Sequence, residues 1–187
     1  MRRWSLDLKR EHDRVMKLAV TDDVSGFNNT RYLHRYLDRL IENPGGKPAE
    51  VCLVFFDIDN FKRLVDLHGH LLGSKTLREV AQTVAHVLNE EDRLVRYGGD
   101  EFIAILPRQN KHEALLKVNR MKQLIHSTRF LQKEGINARL TASFGLACFP
   151  ADAKDKRELL AEADRCLFQS KSEGKNRITF TELEEAA

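Results

Sequence analysis

Residues 93–106 read Arg93-Leu94-Val95-Arg96-Tyr97-Gly98-Gly99-Asp100-Glu101-Phe102-Ile103-Ala104-Ile105-Leu106. Two short runs rich in β-branched and apolar residues flank a glycine pair, which predicts a β-hairpin: strands at 93–97 and 102–106, the turn at the glycines. The turn carries two adjacent carboxylates, Asp100 and Glu101.

Upstream, Val51 to Phe56 is an apolar run of strand length, followed by the polar Asp57-Ile58-Asp59-Asn60. Helical spacing resumes over 61–88, with a break expected near Gly69 and Gly73. A helix is expected to about residue 41, capped by Asn29 or Thr30. Before it, Trp4, Leu8, Val15 and Leu18 recur at helical spacing over 4–20, and Asn43-Pro44-Gly45-Gly46 reads as a turn. Downstream the pattern predicts a helix at 111–132, a strand at 139–149, a helix at 156–171 and a strand at 177–180. Helices interleaved with a hairpin-containing sheet imply an α/β (α+β) layered domain with a mixed, mostly antiparallel sheet.

The chain has 187 residues, enough to bury roughly 70% of its unfolded surface. Hydrophobic residues make up 42% and charged residues 32%, which excludes wholesale disorder. The net charge of +3, with one Trp and three Tyr, supplies neither the basic groove nor the stacking aromatics of a nucleic-acid binder. No apolar run approaches the ~20 residues that span a bilayer. Cys52, Cys148 and Cys166 form no CxxC pair and read as small buried thiols of a reduced, cytoplasmic protein.

The chemistry lies in the acids at the strand ends. If Asp57 and Asp59 neighbour the hairpin turn, three or four carboxylates converge at one sheet edge. They would repel one another unless protonated or joined by a cation, and a hard divalent cation shared with substrate phosphates suits such donors. Asn60-Phe61-Lys62 lies at a helix start, where free N–H groups bind phosphate.

Arg96 to Phe102 resembles the signature of the GGDEF family, the diguanylate cyclases. The resemblance extends to Asp22-Asp23-Val24-Ser25-Gly26-Phe27-Asn28-Asn29, Phe56-Asp57-Ile58-Asp59-Asn60-Phe61-Lys62, Gly69-His70, Thr141-Ala142-Ser143-Phe144-Gly145, Ala163-Asp164 and residues 171–177, in family order. It implies a palm-like, ferredoxin-type domain over 21–181, preceded by a linker or signalling helix (1–20) and followed by an acidic tail (182–187). The implied activity joins two nucleoside triphosphates into a cyclic dinucleotide and releases pyrophosphate. By resemblance, two Mg²⁺ or Mn²⁺ ions would be held by Asp57, the Ile58 carbonyl, Asp100 and Glu101. Asp100 would accept the proton and Lys62 would act on the phosphates. Asn60, Phe61, Val65, His70, Ser74, Lys171 and Lys175 would complete the nucleotide site. The implied partners are GTP and ATP, a second copy of the chain, and an upstream sensor or receiver domain, with no nucleic acid and no membrane.

Two departures qualify the resemblance. Guanine-specific members carry Asn and Asp where this chain has Val65 and Ser74. An ionised Asp accepts from guanine N1–H and N2–H₂, whereas a serine hydroxyl adapts to either purine edge. The pair is similar to the hybrid promiscuous subgroup that makes 3′,3′-cyclic GMP-AMP from ATP and GTP, with cyclic di-GMP and cyclic di-AMP beside it. The alternatives are a GTP-selective cyclase making cyclic di-GMP and a non-catalytic nucleotide or dinucleotide receptor. Second, the RxxD product-inhibition site of the family reads Asn89-Glu90-Glu91-Asp92 here, degenerate at its arginine.

Overall fold

The structure is a computed structural model that describes residues 19–41 and 50–181. Of the helix expected over 4–20, only Ala19 and Val20 are described, and both are helical. The expected turn at 43–46 and the acidic tail lie outside the described residues. The elements in order are α1 (Thr30–Ile41), β1 (Val51–Ile58), α2 (Phe61–Ala85), β2 (Arg93–Gly98), β3 (Glu101–Pro107), α3 (Lys111–Ser127), β4 (Ala142–Phe149), α4 (Lys156–Ser172) and β5 (Ile178–Phe180).

The sheet order is β2-β3-β1-β4-β5. All pairings are antiparallel except β4 with β5. β1, α2, β2, β3, α3 and β4 thus form a ferredoxin-type unit, to which α1, α4 and β5 are added.

The continuous apolar character of β1 follows from cover on both faces. Cys52, Val54 and Phe56 pack with Val80 and Val84 of α2 and Val118 and Met121 of α3. Val51, Leu53 and Phe55 pack with Leu33 and Leu37 of α1 and Leu159, Ala163 and Leu167 of α4. A strand buried on both sides has no polar face, so its sequence does not alternate. Asn29 caps α1 by accepting from the Tyr32 N–H at 3.2 Å.

Besides β4 beginning at Ala142 rather than 139 and α2 ending at Ala85 rather than 88, the structure differs from the sequence expectations in three places. The break in α2 falls at Gly69 alone (φ 82°, ψ 165°), while Gly73 is helical and buried. A Cβ on Gly73 would stand 2.8 Å from Val65 Cγ2, so that glycine serves close packing rather than a bend.

α3 stops at Ser127, short of 132, because Thr128 turns extended and Phe130 pairs with Ala138 around a 3₁₀ turn at Gln132–Glu134. Burial of Phe130 and Leu131 in the core outweighs the helical pattern there.

Cys52 and Cys148, expected as separate thiols, face each other across β1 and β4 and are joined by a disulfide. The odd count and absent CxxC concealed a pair made by strand register. Cys166 is free and buried.

Candidate active site

The candidate site lies where β1, β3 and β4 end together. Asp57, the second-last residue of β1, is in register with Glu101 on β3 and Ser143 on β4. The Ile58 N–H donates to the Asp100 carbonyl at 3.4 Å and closes the hairpin turn onto the end of β1. Asp57, Ile58, Asp100 and Glu101 are therefore gathered by sheet pairing alone.

A helix supplies the counter-charge. Lys171, in the last turn of α4, places Nζ 2.9 Å from Asp57 Oδ2 and 3.6 Å from Glu101 Oε1. α4 comes this close because β4 has a glycine beneath it. A Cβ on Gly145 would stand 2.2 Å from the Ala163 carbonyl oxygen and 2.2 Å from the Leu167 nitrogen.

Burial, opposed by Lys171 and reinforced by the Asp100 and Glu101 charges, pushes the Asp57 carboxyl up to about 6. Burial works against the Lys171 ammonium, but Asp57 and Glu101 outweigh it and raise its pKa. Three oxygen donors with unbalanced negative charge suit a hard divalent cation. Among the described residues, no three His, Cys, Asp or Glu side chains already stand in ligating geometry; Lys171 holds the acids instead.

Asp59 does not join this cluster. It is buried and accepts from the Thr141 hydroxyl at 2.6 Å, the Ser143 hydroxyl at 2.6 Å and the Asn176 N–H at 3.0 Å. Asp57 and Asp59 thus divide into one acid in the cluster and one that ties the start of α2 to β4 and the 174–176 turn.

Beside the acids is the start of α2. Asn60 adopts a left-handed conformation (φ 57°) and provides no side-chain cap, so the first N–H groups of α2 are open to an anion. Phe61 is half-buried, and Lys62 is exposed with no hydrogen-bond partner among the described residues. Lys175 donates to Asn60 Oδ1 at 2.7 Å. His70 is exposed just beyond the Gly69 kink, and half-buried Ser74 lies one residue past the Val65–Gly73 contact.

Sequence reasoning assigned no role to Arg96 and Asp22. Arg96 Nε and Nη2 donate to the Gly99 carbonyl at 3.0 and 2.7 Å, and Nη1 pairs with Asp22 Oδ2 at 3.2 Å. Burial opposes ionisation of Asp22, but Ser25 and Arg96 outweigh it and hold its pKa below the usual carboxylate range. The pair fixes the turn carrying Asp100. Both residues stand inside quoted motifs, and that was the available signal.

At the degenerate inhibitory segment, Asp92 is buried and pairs with Lys117. Its carboxylate also accepts from the Asn89 N–H at 2.7 Å and Gln109 Nε2 at 2.9 Å.

The profile of the family "Diguanylate cyclase, GGDEF domain" matches residues 19–177. Response regulator PleD of Caulobacter vibrioides is 32% identical over 180 residues, covering 95% of this chain and 39% of that protein. Diguanylate cyclase DgcZ of Escherichia coli is 34% identical over 160 residues, covering 85% of this chain and 52% of DgcZ. The chain thus spans about half or less of these relatives. The crystal structure of the coiled coil and GGDEF domain of DgcB from Caulobacter crescentus, in complex with c-di-GMP, superposes with a TM-score of 0.86 at 27% identity, covering 95% of this chain and 94% of that one. With its GGDEF signature on a turn pinned to the end of β1, and a family match across nearly the whole described chain, this protein belongs to the GGDEF-domain, or diguanylate cyclase, family.

Proposed function

We propose that the domain condenses two molecules of GTP into cyclic di-GMP. The observation that carries this reading is the register of Asp57 with Glu101, beside Asp100 and opposite the uncapped start of α2. Relatives that are diguanylate cyclases, and a similar structure in complex with c-di-GMP, support GTP as the substrate.

In each half-reaction a 3′-hydroxyl attacks an α-phosphate. A P–O bond forms, the α–β phosphoanhydride breaks, and pyrophosphate leaves. Two half-reactions close the ring. One domain offers one such site, so two copies face each other during turnover. The N–H groups at the start of α2 and Lys62 bind the phosphates, and Asp100 accepts the hydroxyl proton. Lys175 holds Asn60 in place. Asp57, the Ile58 carbonyl, Asp100 and Glu101 would hold divalent metal ions, which would lower the hydroxyl's pKa and neutralise the departing pyrophosphate. In the metal-free domain, Lys171 keeps the acids together.

The test is chromatography of products from purified protein with Mg²⁺ and GTP, repeated with Asp100→Asn. Cyclic di-GMP from the first and none from the second supports the proposal. Stoichiometric nucleotide binding without turnover, in a dimer, would replace it with a receptor function.

One observation favours a second reading. Val65 turns an apolar methyl toward Gly73 and Ser74 carries no charge, so neither of these two side chains selects guanine by ionic pairing. On that reading, equal ATP and GTP yield 3′,3′-cyclic GMP-AMP alongside cyclic di-GMP. An upstream sensor or receiver domain would supply the input to either reaction.

A further inference from the structure

Behind the start of α2 lies a cleft of about 610 Å³, walled by α2, the end of α3 and the 138–141 segment. It meets the phosphate loop at Asn60 but shares no residue with the acidic cluster. Arg63, His68, His126, Arg129 and Arg139 line it. Among the described residues, none of these five side chains has a hydrogen-bond or ion-pair partner. The sole carboxylate in its lining, Asp59, is already bonded to Thr141, Ser143 and Asn176.

Three arginines thus share one concavity with a single carboxylate that is already bonded, in a chain whose charges nearly balance. Some surface arginines elsewhere do have acidic partners: Arg108 with Glu91, Arg165 with Glu162, and Arg177 with Glu173. Converging like charges repel, and a guanidinium fork matches the oxygens of phosphate. The volume suits a ligand of nucleotide size. Leu64, Leu67 and Leu140 give the wall an apolar strip, and Leu67 is 73% exposed.

We propose that this cleft is a second binding site, apart from the acidic cluster and adjoining the nucleotide site at Asn60, for a small molecule with at least two ionised phosphate groups. The arginines bind the phosphates, and Leu67 offers a face for a ring. The site is independent of which cyclic product the domain makes.

The test uses the whole chain labelled with ¹⁵N, titrated with inorganic pyrophosphate without divalent metal while the arginine Nε–H resonances are followed. Parallel titrations use ADP, adenosine and sodium chloride at matched ionic strength. The variants are Arg129→Ser/Arg139→Ser for the cleft and Lys62→Ala for the phosphate loop.

Saturable shifts of the Arg63, Arg129 and Arg139 resonances are expected, at a dissociation constant of about 1 mM or below. The double variant should weaken the binding at Arg63 about tenfold or more, whereas Lys62→Ala should preserve it. Tighter binding of ADP than of pyrophosphate would identify a nucleotide, and equal binding a free polyphosphate; either supports the site. Shifts matched by sodium chloride, shifts produced equally by adenosine, or shifts lost in Lys62→Ala would overturn it.

Discussion

Lys171 Nζ sits 2.9 Å from Asp57 Oδ2, so in the metal-free domain an ammonium holds a carboxylate that burial and two neighbouring acids disfavour. The sign of the pH effect follows. The Asp57 pKa rises from its ordinary 3.8 to about 6 on folding. Its contribution to stability is therefore fully present below the unfolded value and is lost as pH rises through about 6. At pH 7 the charged Asp57 destabilises the metal-free fold. Asp57→Asn should raise the metal-free melting temperature at pH 7 by a few degrees, on the order of 2–5 °C, and change it little near pH 4. Mg²⁺ should stabilise the parent and not the variant. Scanning calorimetry at both pH values, with and without Mg²⁺, checks this; a lower melting temperature for Asp57→Asn at pH 7 would count against it.

Lys171 reaches Asp57 only because Gly145 lets α4 lie against β4. A methyl group there meets backbone atoms, the Ala163 carbonyl oxygen and the Leu167 nitrogen, which no rotamer change can move. Gly145→Ala should cost about 2 kcal/mol or more, lowering the melting temperature by about 4–8 °C or more. Gly99→Ala provides a contrast. Gly99 has open space around it, and strain arises only from its φ of 49°. Denaturant melts of the two variants should rank Gly145→Ala as clearly the worse.

The order of elements was legible because periodicity changes cleanly along the chain, and because Gly98-Gly99 marks a turn that few other residues could make. The candidate site was legible from Asp57 and from Asp100-Glu101, since sheet register brings strand ends together. Asp59 was not, because nothing in a DxD spacing tells which carboxylate faces Thr141 and Ser143. The 610 Å³ cleft was equally hidden. Its arginines at 63, 129 and 139 belong to three separate segments, and the end of α3 sits there only because Phe130 and Leu131 leave the helix for the core. A net charge of only +3 masked a local surplus of charge.

Asp92 bears on product inhibition. Its carboxylate is committed to Lys117, Gln109 and the Asn89 N–H, so it is unavailable to a dinucleotide. Initial rates should be insensitive to added cyclic product through this segment, and Asn89→Arg alone should not install inhibition. Lys117→Met should instead cost about 3–5 kcal/mol by leaving Asp92 buried and uncompensated. Progress curves with and without a phosphodiesterase, together with melts of the Lys117 variant, test both parts. Inhibition in Asn89→Arg would show that Asp92 can leave its partners.

Arg96 acts through the turn rather than on the substrate. Its donations to the Gly99 carbonyl and its pairing with Asp22 hold the segment that presents Asp100 and Glu101. Arg96→Lys keeps the charge but loses the planar fork. It should lower kcat by about tenfold or more while leaving nucleotide binding within a few-fold, and Asp22→Asn should behave similarly. A change confined to KM would instead place Arg96 on the nucleotide.

Base selection turns on Val65 and Ser74. Gly73 leaves room for Val65, whose Cγ2 would stand 2.8 Å from any Cβ there, and asparagine has nearly the size of valine, so Val65→Asn should fit without moving α2. Ser74→Asp adds an acceptor that guanine satisfies at two N–H groups and adenine does not. Each charged hydrogen bond gained contributes about 1.5–3 kcal/mol, equivalent to at least about tenfold in preference for guanine. With equal ATP and GTP, Val65→Asn/Ser74→Asp should raise the ratio of cyclic di-GMP to mixed product by that factor. Chromatography of the products from parent and variant reads it directly. If the parent makes cyclic di-GMP alone from the mixture, guanine is selected by groups other than these two side chains, and the mixed-product reading falls.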